Sequence, residues 1–236
     1  MSDTAEPTTG PKPAEDLLAA SPATAYFWSR VAGDGELTGK SVTVHTEDET
    51  AADALAAIAG ADRTDHRVAA RESAHDASVV RYEDEYKVQV FGAPADRAGA
   101  ALGLPIDGQP GGYRFDTFAD HHAPLVRGFL EACGTICFRE SSKSVGISFV
   151  HDDESLLRTI QSLLADAEPQ VPTDDLAETS SGGFWFGLAD DADTSAFAQW
   201  VYAGSDESGL YSNGRRQKLR RSVERATGTD VGDLAE

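Results

Sequence analysis

Cysteine is nearly absent. The 236 residues hold two, Cys133 and Cys137, four positions apart with no histidine beside them. That spacing is too local to staple a fold and makes a poor metal set, so the pair reads as two small half-buried thiols in a reducing compartment. Long apolar runs are missing too. No stretch of about 18 apolar residues occurs, which argues against a transmembrane helix and a membrane partner. The opening MSDTAEPTTGPKPAED has neither a basic n-region nor an apolar h-region, so no secretory signal is expected and a cytoplasmic location is. No phosphate-binding loop, nucleophile elbow or Rossmann glycine pattern occurs, and the common enzyme classes find no support.

Positive charge is also scarce. Twenty Lys and Arg face 40 Asp and Glu, for a net charge of −20, and only five of the twenty are Lys. Such a balance normally argues against a nucleic-acid partner, because neutralising phosphates takes Lys and Arg. Here the acids run along the whole chain instead of forming one tail. With Ala, Asp, Glu and Thr abundant, this is the composition expected of a halophilic protein, in which high net charge keeps the chain soluble in molar salt. In that setting net charge says little about partners, and much phosphate electrostatics is screened. What stays informative is where the positive charges cluster.

What is present points to a folded chain. Hydrophobic residues make up 40% of the sequence and ten are Phe. The length suits one large domain or two of about 100 residues each. Residues 1–22 are rich in Pro, Thr, Ala and Glu and are expected to be a disordered tail. A helix is predicted from near Thr24 to Gly33 or Gly35, with Tyr26, Phe27, Arg30 and Val31 at helical spacing. An extended KSVTVHT follows, then a helix over Thr50–Ala61 capped by Thr50. ASVVRYE and EYKVQVFG read as a hairpin turning near Glu83 and Asp84, and Pro94–Pro105 as a short helix. A Gly/Pro-rich break, DGQPGGY, marks a linker at 107–116 between a first half, 23–106, and a second, 117–228.

After the break the order recurs. HHAPLVRGFLEACG is a predicted helix and Thr135–Asp152 a hairpin. DDESLLRTIQSLLADA is an amphipathic helix carrying Leu156, Leu157, Ile160, Leu163 and Leu164 on one face. SGGFWFGLAD is a strand whose partner around Gln170–Glu178 is poorly defined. DTSAFAQWVYAG and the basic RRQKLRRSVERA are helices, and 229–236 is an acidic tail. Each half thus reads helix, hairpin, helix, hairpin, helix, an α+β arrangement with internal pseudo-twofold symmetry. Such symmetry suits a monomer on a symmetric partner, of which duplex DNA is the commonest example. A protein partner stays open.

The repeat aligns Phe27–Gly35 with Val126–Gly134, two helices that end in a small residue, a variable residue and Gly. These segments resemble the paired LAGLIDADG helices of the homing-endonuclease family. RGFLEACGTICF is the more specific of the two, and AGDG the less. SVGISFVHDDESLLRTIQSLL resembles the family's strand and following helix. FAQWVYAGSDESGLYSNGRRQKLRR resembles its closing stretch, where a Leu-Tyr pair precedes a basic helix. The resemblance spans about residues 24–226. It implies two LAGLIDADG-like halves forming a saddle over double-stranded DNA. It also implies close packing of the two helices through Gly33, Gly128, Ala132 and Gly134, and one carboxylate at the end of each helix holding Mg²⁺ beside a scissile phosphate.

In the first half Asp34 matches that metal-binding, catalytic position. In the second the position is Cys133, a soft and normally protonated thiol that does not replace a carboxylate for a hard cation. Glu131 lies two residues earlier, about 200° around the helix, and is badly placed to substitute. The expectation is therefore no cofactor, or Mg²⁺ only if nuclease activity is retained. His45, His121 and His122 have no metal-ligand spacing, and Trp28, Trp185 and Trp200 read as core aromatics.

The most anomalous feature of an acidic chain is its basic run. Arg215, Arg216, Lys218, Arg220, Arg221 and Arg225 fall within eleven residues, opposed only by Glu224. Phosphate contact is the best explanation, since Arg binds phosphate bidentately. The resemblance adds Arg81, Lys87, Arg139 and Lys143 as strand residues facing the groove. Three readings remain open at this point. One is a DNA-binding protein that kept the saddle and lost cleavage, acting in transcription regulation as some bacterial developmental regulators with such a domain do. The others are an active endonuclease or intron maturase, and an acidic module that binds a protein or a small molecule.

Overall fold

A computed structural model describes residues 11–61, 63–73, 76–92 and 95–228; at 63, 71–73, 76–79, 81 and 96 it describes the backbone alone. The predicted acidic tail, 229–236, and residues 1–10 lie outside the described residues. The first half runs α1 (Pro22–Asp34), β1 (Gly35–Thr38), β2 (Ser41–Thr46), α2 (Glu49–Ala59), β3 (Arg63–Ser73), β4 (Asp76–Phe91) and α3 (Ala95–Leu102). A 3-10 turn over Asp116–His121 leads into the second half. There follow α4 (His122–Cys133), β5 (Gly134–Arg139), β6 (Ser144–His151), α5 (Glu154–Ala165), β7 (Ala177–Glu178), β8 (Phe184–Gly187), α6 (Thr194–Tyr202), α7 (Ser205–Ser208) and α8 (Asn213–Thr227). The two antiparallel sheets are ordered β1-β2-β4-β3 and β5-β6-β8-β7. The two halves therefore share one topology, the α+β arrangement that the repeat predicts.

Local chemistry sets the helix starts. Ser21 and Thr24 form a capping box ahead of α1, and Pro22 occupies its first turn, where a missing N–H costs nothing. Helix α2 is capped by Asp48, whose carboxylate accepts from Ala51 N, and not by Thr50 as the sequence suggested. An ionised carboxylate is the stronger acceptor for a free helix N–H. The predicted tail is tied down before residue 22: Ala14 N donates to Ile58 O at 2.9 Å and Trp28 Nε1 donates to Leu17 O at 2.5 Å. Leu17 and Leu18 then pack on the core.

The hairpin expected to turn at Glu83 and Asp84 does not turn there. Strand β4 passes straight through both, and its partner is β3, pairing Ala69 with Glu83 and Val68 with Asp84. Acidic residues survive mid-strand because this ribbon reaches past the core, where Tyr82 is 75% exposed. Cross-strand pairs hold it, with His66 Nε2 2.8 Å from Asp84 and Arg67 Nε donating to Glu85 at 2.6 Å. In the second half Leu156, Leu157, Ile160 and Leu164 of α5 are fully buried, each worth about 1.5–3 kcal/mol. Leu163 is only partly so.

Helices α1 and α4 sit at the centre. Every residue from Thr24 to Gly33 and from Leu125 to Glu131 is buried, so neither helix shows a wet face. Among the described residues no helix is long and apolar enough to cross a membrane.

Candidate nucleic-acid interface and the ends of the central helices

The contact between α1 and α4 is made by small residues at equivalent positions. A Cβ placed on Gly33 would lie 2.7 Å from the Cβ of Ala132. One placed on Gly128 would fall on Ser29 Oγ and come within 2.8 Å of Tyr26 O. Ser29 and Gly128, like Gly33 and Ala132, are matched members of the two repeats. The local twofold axis therefore runs between each pair, and each pair has room for one Cβ. Gly134 contributes differently: a Cβ there would meet Leu130, within its own helix.

This approach brings Asp34 and Cys133 to the same end of the helix pair. They share a cavity of about 490 Å³ with His45, Val150, His151 and Asp152. Asp34 is exposed as a residue, yet burial around its carboxyl shifts its pKa upward, against the pull of Arg30 and His45. The Cys133 thiol donates to Phe129 O at 3.4 Å. Burial, and next the negative charge of Asp34, push its pKa up to about 12. At pH 8 roughly one in ten thousand such thiols is ionised, whereas alkylation needs the thiolate. Native protein should therefore incorporate one iodoacetamide per chain, at exposed Cys137, and a second only after denaturation. Fast modification of Cys133 in the folded state would show that its thiol is not sequestered.

The Glu131 carboxylate is held by neighbouring groups. Its Oε2 accepts from Tyr26 OH at 2.6 Å and from Arg30 Nη1 at 3.4 Å, and its Oε1 accepts from Ser212 N at 2.9 Å. Burial shifts this carboxyl up even against the pull of Arg30, and burial works against the Arg30 charge while the acidic groups around it shift its pKa up on balance. Glu131 is thus committed to the interior.

Helix α8 begins at this network. Ser212 N is held by Glu131, and Gly214 N donates to Asp48 Oδ2 at 2.8 Å, so carboxylates from both halves anchor its first turn. Arg215 Nη1 donates to Gly134 O at 2.9 Å. With Lys218, Arg30, Asp34 and His45 it lines a second cavity of about 700 Å³. Lys218, Arg220 and Arg221 are exposed. Arg220 Nε donates to Glu224 at 2.9 Å, and Arg221 Nη2 to Gln217 at 3.4 Å.

Arg216 differs from its neighbours. It faces inward with Leu219 and Val223, over the Tyr211 ring, and its guanidinium is bound by the Asp206 carboxylate, both oxygens of which accept. A cation so engaged is a fold element and not a phosphate contact.

The strand cations are less uniform than the sequence suggested. Lys87 pairs in register with His45 and Asp65, on the face of β4 opposite the buried Val88. Arg139 ends β5 with Nη1 donating to Asp190 at 3.0 Å. Lys143 is not on a strand: it sits in the β5–β6 turn at φ 52, its Nζ donating to Glu140 at 2.9 Å. Arg81 is placed in β4 by its backbone, paired with Arg71, and its side chain lies outside the described residues. Of the tryptophans, Trp28 is fully buried and Trp200 partly so, but Trp185 is 40% exposed.

Residues 1–229 match the model of a LAGLIDADG family described as "Putative archaeal homing endonuclease". The chain belongs to this LAGLIDADG family. Solved structures share the fold. The homing endonuclease I-WcaI, bound to its DNA recognition sequence, aligns at TM-score 0.53 and 8% identity over 85% of this chain and 87% of its own. The N-terminal LAGLIDADG domain of DUF199/WhiA aligns at TM-score 0.50 and 12% identity over 79% and 84%. Full-length DUF199/WhiA from Thermatoga maritima aligns at 0.51 and 10% over 94% of this chain, which spans 64% of that protein. No curated protein matches the sequence.

Helices α1 and α4 carry the two segments whose sequences resemble LAGLIDADG helices. Two features escaped the sequence reading. Arg30 carried no local sign of pairing with a residue 101 positions away. Arg216 did carry one: its spacing from Leu219 and Val223 places it on the apolar stripe of α8.

Proposed function

We propose that the protein binds double-stranded DNA over the helix-free faces of its two sheets and the exposed side of α8, and that it serves regulation without cutting both strands. One observation carries this reading: a carboxylate ends the first signature helix, and a neutral thiol ends the second. Two-strand hydrolysis in this fold calls for an oxygen donor from each helix around a hard cation. Asp34 offers one. Cys133 is the wrong donor and is protonated, and Glu131 is turned into the interior. Among the described residues no group of three or more His, Cys, Asp or Glu is placed to hold a metal ion. The residues present do not fit a shared divalent ion. The fold alone does not decide the matter, since it serves both a DNA-bound homing endonuclease and the LAGLIDADG domain of DUF199/WhiA.

Duplexes selected from a random library in molar KCl test the reading. Wild type should bind them and leave both strands intact in Mg²⁺. Replacing exposed Lys218 and Arg221 with Ala should weaken binding about tenfold and reduce the salt slope by about one per lost phosphate contact. The circular dichroism should not change. Unaltered affinity would exclude α8 from the interface. Mg²⁺-dependent double-strand cleavage that disappears in Asp34→Asn would install the endonuclease instead.

A further inference from the structure

The two helix-free sheet faces are not chemically equivalent, and the difference sits where the repeats are best matched. Strand β2 pairs Val44 with Gly35, the first residue of β1, and β6 pairs Phe149 with Gly134, the first residue of β5. One residue on, His45 pairs with Lys87 across β2 and β4, and Val150 pairs with Trp185 across β6 and β8. Because the sheet orders are the same, these two cross-strand pairs occupy the same place in the two halves. Val44 and Val88, like Phe149 and Phe186, are buried against the helices. Strand alternation turns His45 and Lys87, and Val150 and Trp185, to the opposite face.

The half that keeps its acid therefore carries an imidazole and an ammonium beside it. The half whose central helix ends in Cys133 carries an exposed apolar pair, Val150 at 42% and Trp185 at 40%. Val150 lines the same cavity as Asp34, Cys133 and His45, so the pair is continuous with the centre of the proposed interface. The floor around it is low. Thr135, Ser148 and Gly187 are cross-strand neighbours on that face, leaving Trp185 to stand above small side chains.

We propose that Val150 and Trp185 form an apolar reader of thymine C5-methyl groups in one half-site of a duplex target, which the opposite half reads through His45 and Lys87. This inference rests on the DNA-binding reading above. The thymine methyl is the apolar group that a base pair offers in the major groove, and a β-ribbon fits that groove. Polar or ionic readout would leave two exposed apolar side chains in water at the interface, whereas a methyl contact buries them. The consequence is an asymmetric target with thymines required on one side only.

Deoxyuridine tests this directly, because it pairs as thymidine does and lacks the methyl. Selected duplexes are resynthesised with deoxyuridine in one half-site at a time and bound to the full chain. Wild type should lose about fourfold in affinity per contacted methyl, in one half-site only. The Val150→Ala/Trp185→Ala variant should bind the thymidine duplex more weakly and no longer distinguish the two bases. Its deficit should be the same at low and high KCl, because an apolar contact releases no counterions. Equal wild-type affinity for thymidine and deoxyuridine in both half-sites would overturn the inference, and that measurement needs no variant to fold. So would a methyl preference that survives in a double variant with the wild-type melting temperature. Failure to bind any duplex removes the DNA-binding reading as well, which separates the two failures.

Discussion

Gly128→Val should destabilise the protein by about 3 kcal/mol or more, the upper range for overpacking a rigid interior. A new Cβ would coincide with Ser29 Oγ and lie 2.8 Å from the carbonyl of Tyr26. The hydroxyl can rotate away, but the carbonyl belongs to α1, and moving it means moving a helix buried along ten consecutive residues. Ser29 Oγ is itself held, donating to Tyr26 O at 2.9 Å. Adding Ser29→Gly should recover only part of the loss, because the backbone contact remains. Gly33→Ala should cost less, about 1–2 kcal/mol, since its clash is with the methyl of Ala132 near the C-terminal end of the pair. Urea unfolding of the three variants checks the order. A Gly128→Val midpoint equal to wild type would mean that α1 and α4 do not pack this closely, and with it would go the reading of Asp34 and Cys133 as matched positions.

The central helices were legible because their constraint is local: small residues at fixed spacing, then Gly. Strand β3 was not. RTDHRVAARES alternates weakly, because none of the side chains at 64–70 is buried, Val68 being 59% exposed. Periodicity reports a buried face, and this segment has none to report. Charge counting found α8, but a count has no direction. Arg216 was grouped with its neighbours although it turns inward to Asp206. Trp185 was misplaced by the opposite error. FWFG reads as a buried run, yet only Phe186 stacks in the core, 5.2 Å from Phe149 between ring centres, while its neighbour faces out. Composition identifies a strand here, and the pairing register decides which side chain meets solvent.

The pairing of Arg30 with Glu131 was beyond any local signal, and it carries the other large expected effect. Glu131→Ala should destabilise the protein by about 3–5 kcal/mol, the range for removing one partner of a buried ion pair. Arg30 is 2% exposed, and among the described residues its Nε has no partner. Without Glu131 it would keep the bond from Nη2 to His45 O, at 3.2 Å, and lose the buried carboxylate that Nη1 donates to. Tyr26 OH and Ser212 N would lose their acceptor at the same time. Glu131→Gln preserves the shape and one carbonyl acceptor, and should cost about 1–3 kcal/mol. Arg30→Met with Glu131→Leu removes both charges and should be far milder than Glu131→Ala, because burying an ion pair gains little over burying matched apolar groups. The double variant nevertheless releases Ser212 N, and with it one of the two carboxylate anchors of α8. Stability and DNA affinity should therefore separate: denaturation closer to wild type than that of Glu131→Ala, but weaker binding through a basic helix whose first turn keeps Asp48 and loses Glu131. Denaturant melts beside DNA titrations of the same samples measure both quantities. A Glu131→Ala protein within about 1 kcal/mol of wild type would show that the interior tolerates Arg30 unpaired, a result outside the range for a buried charge.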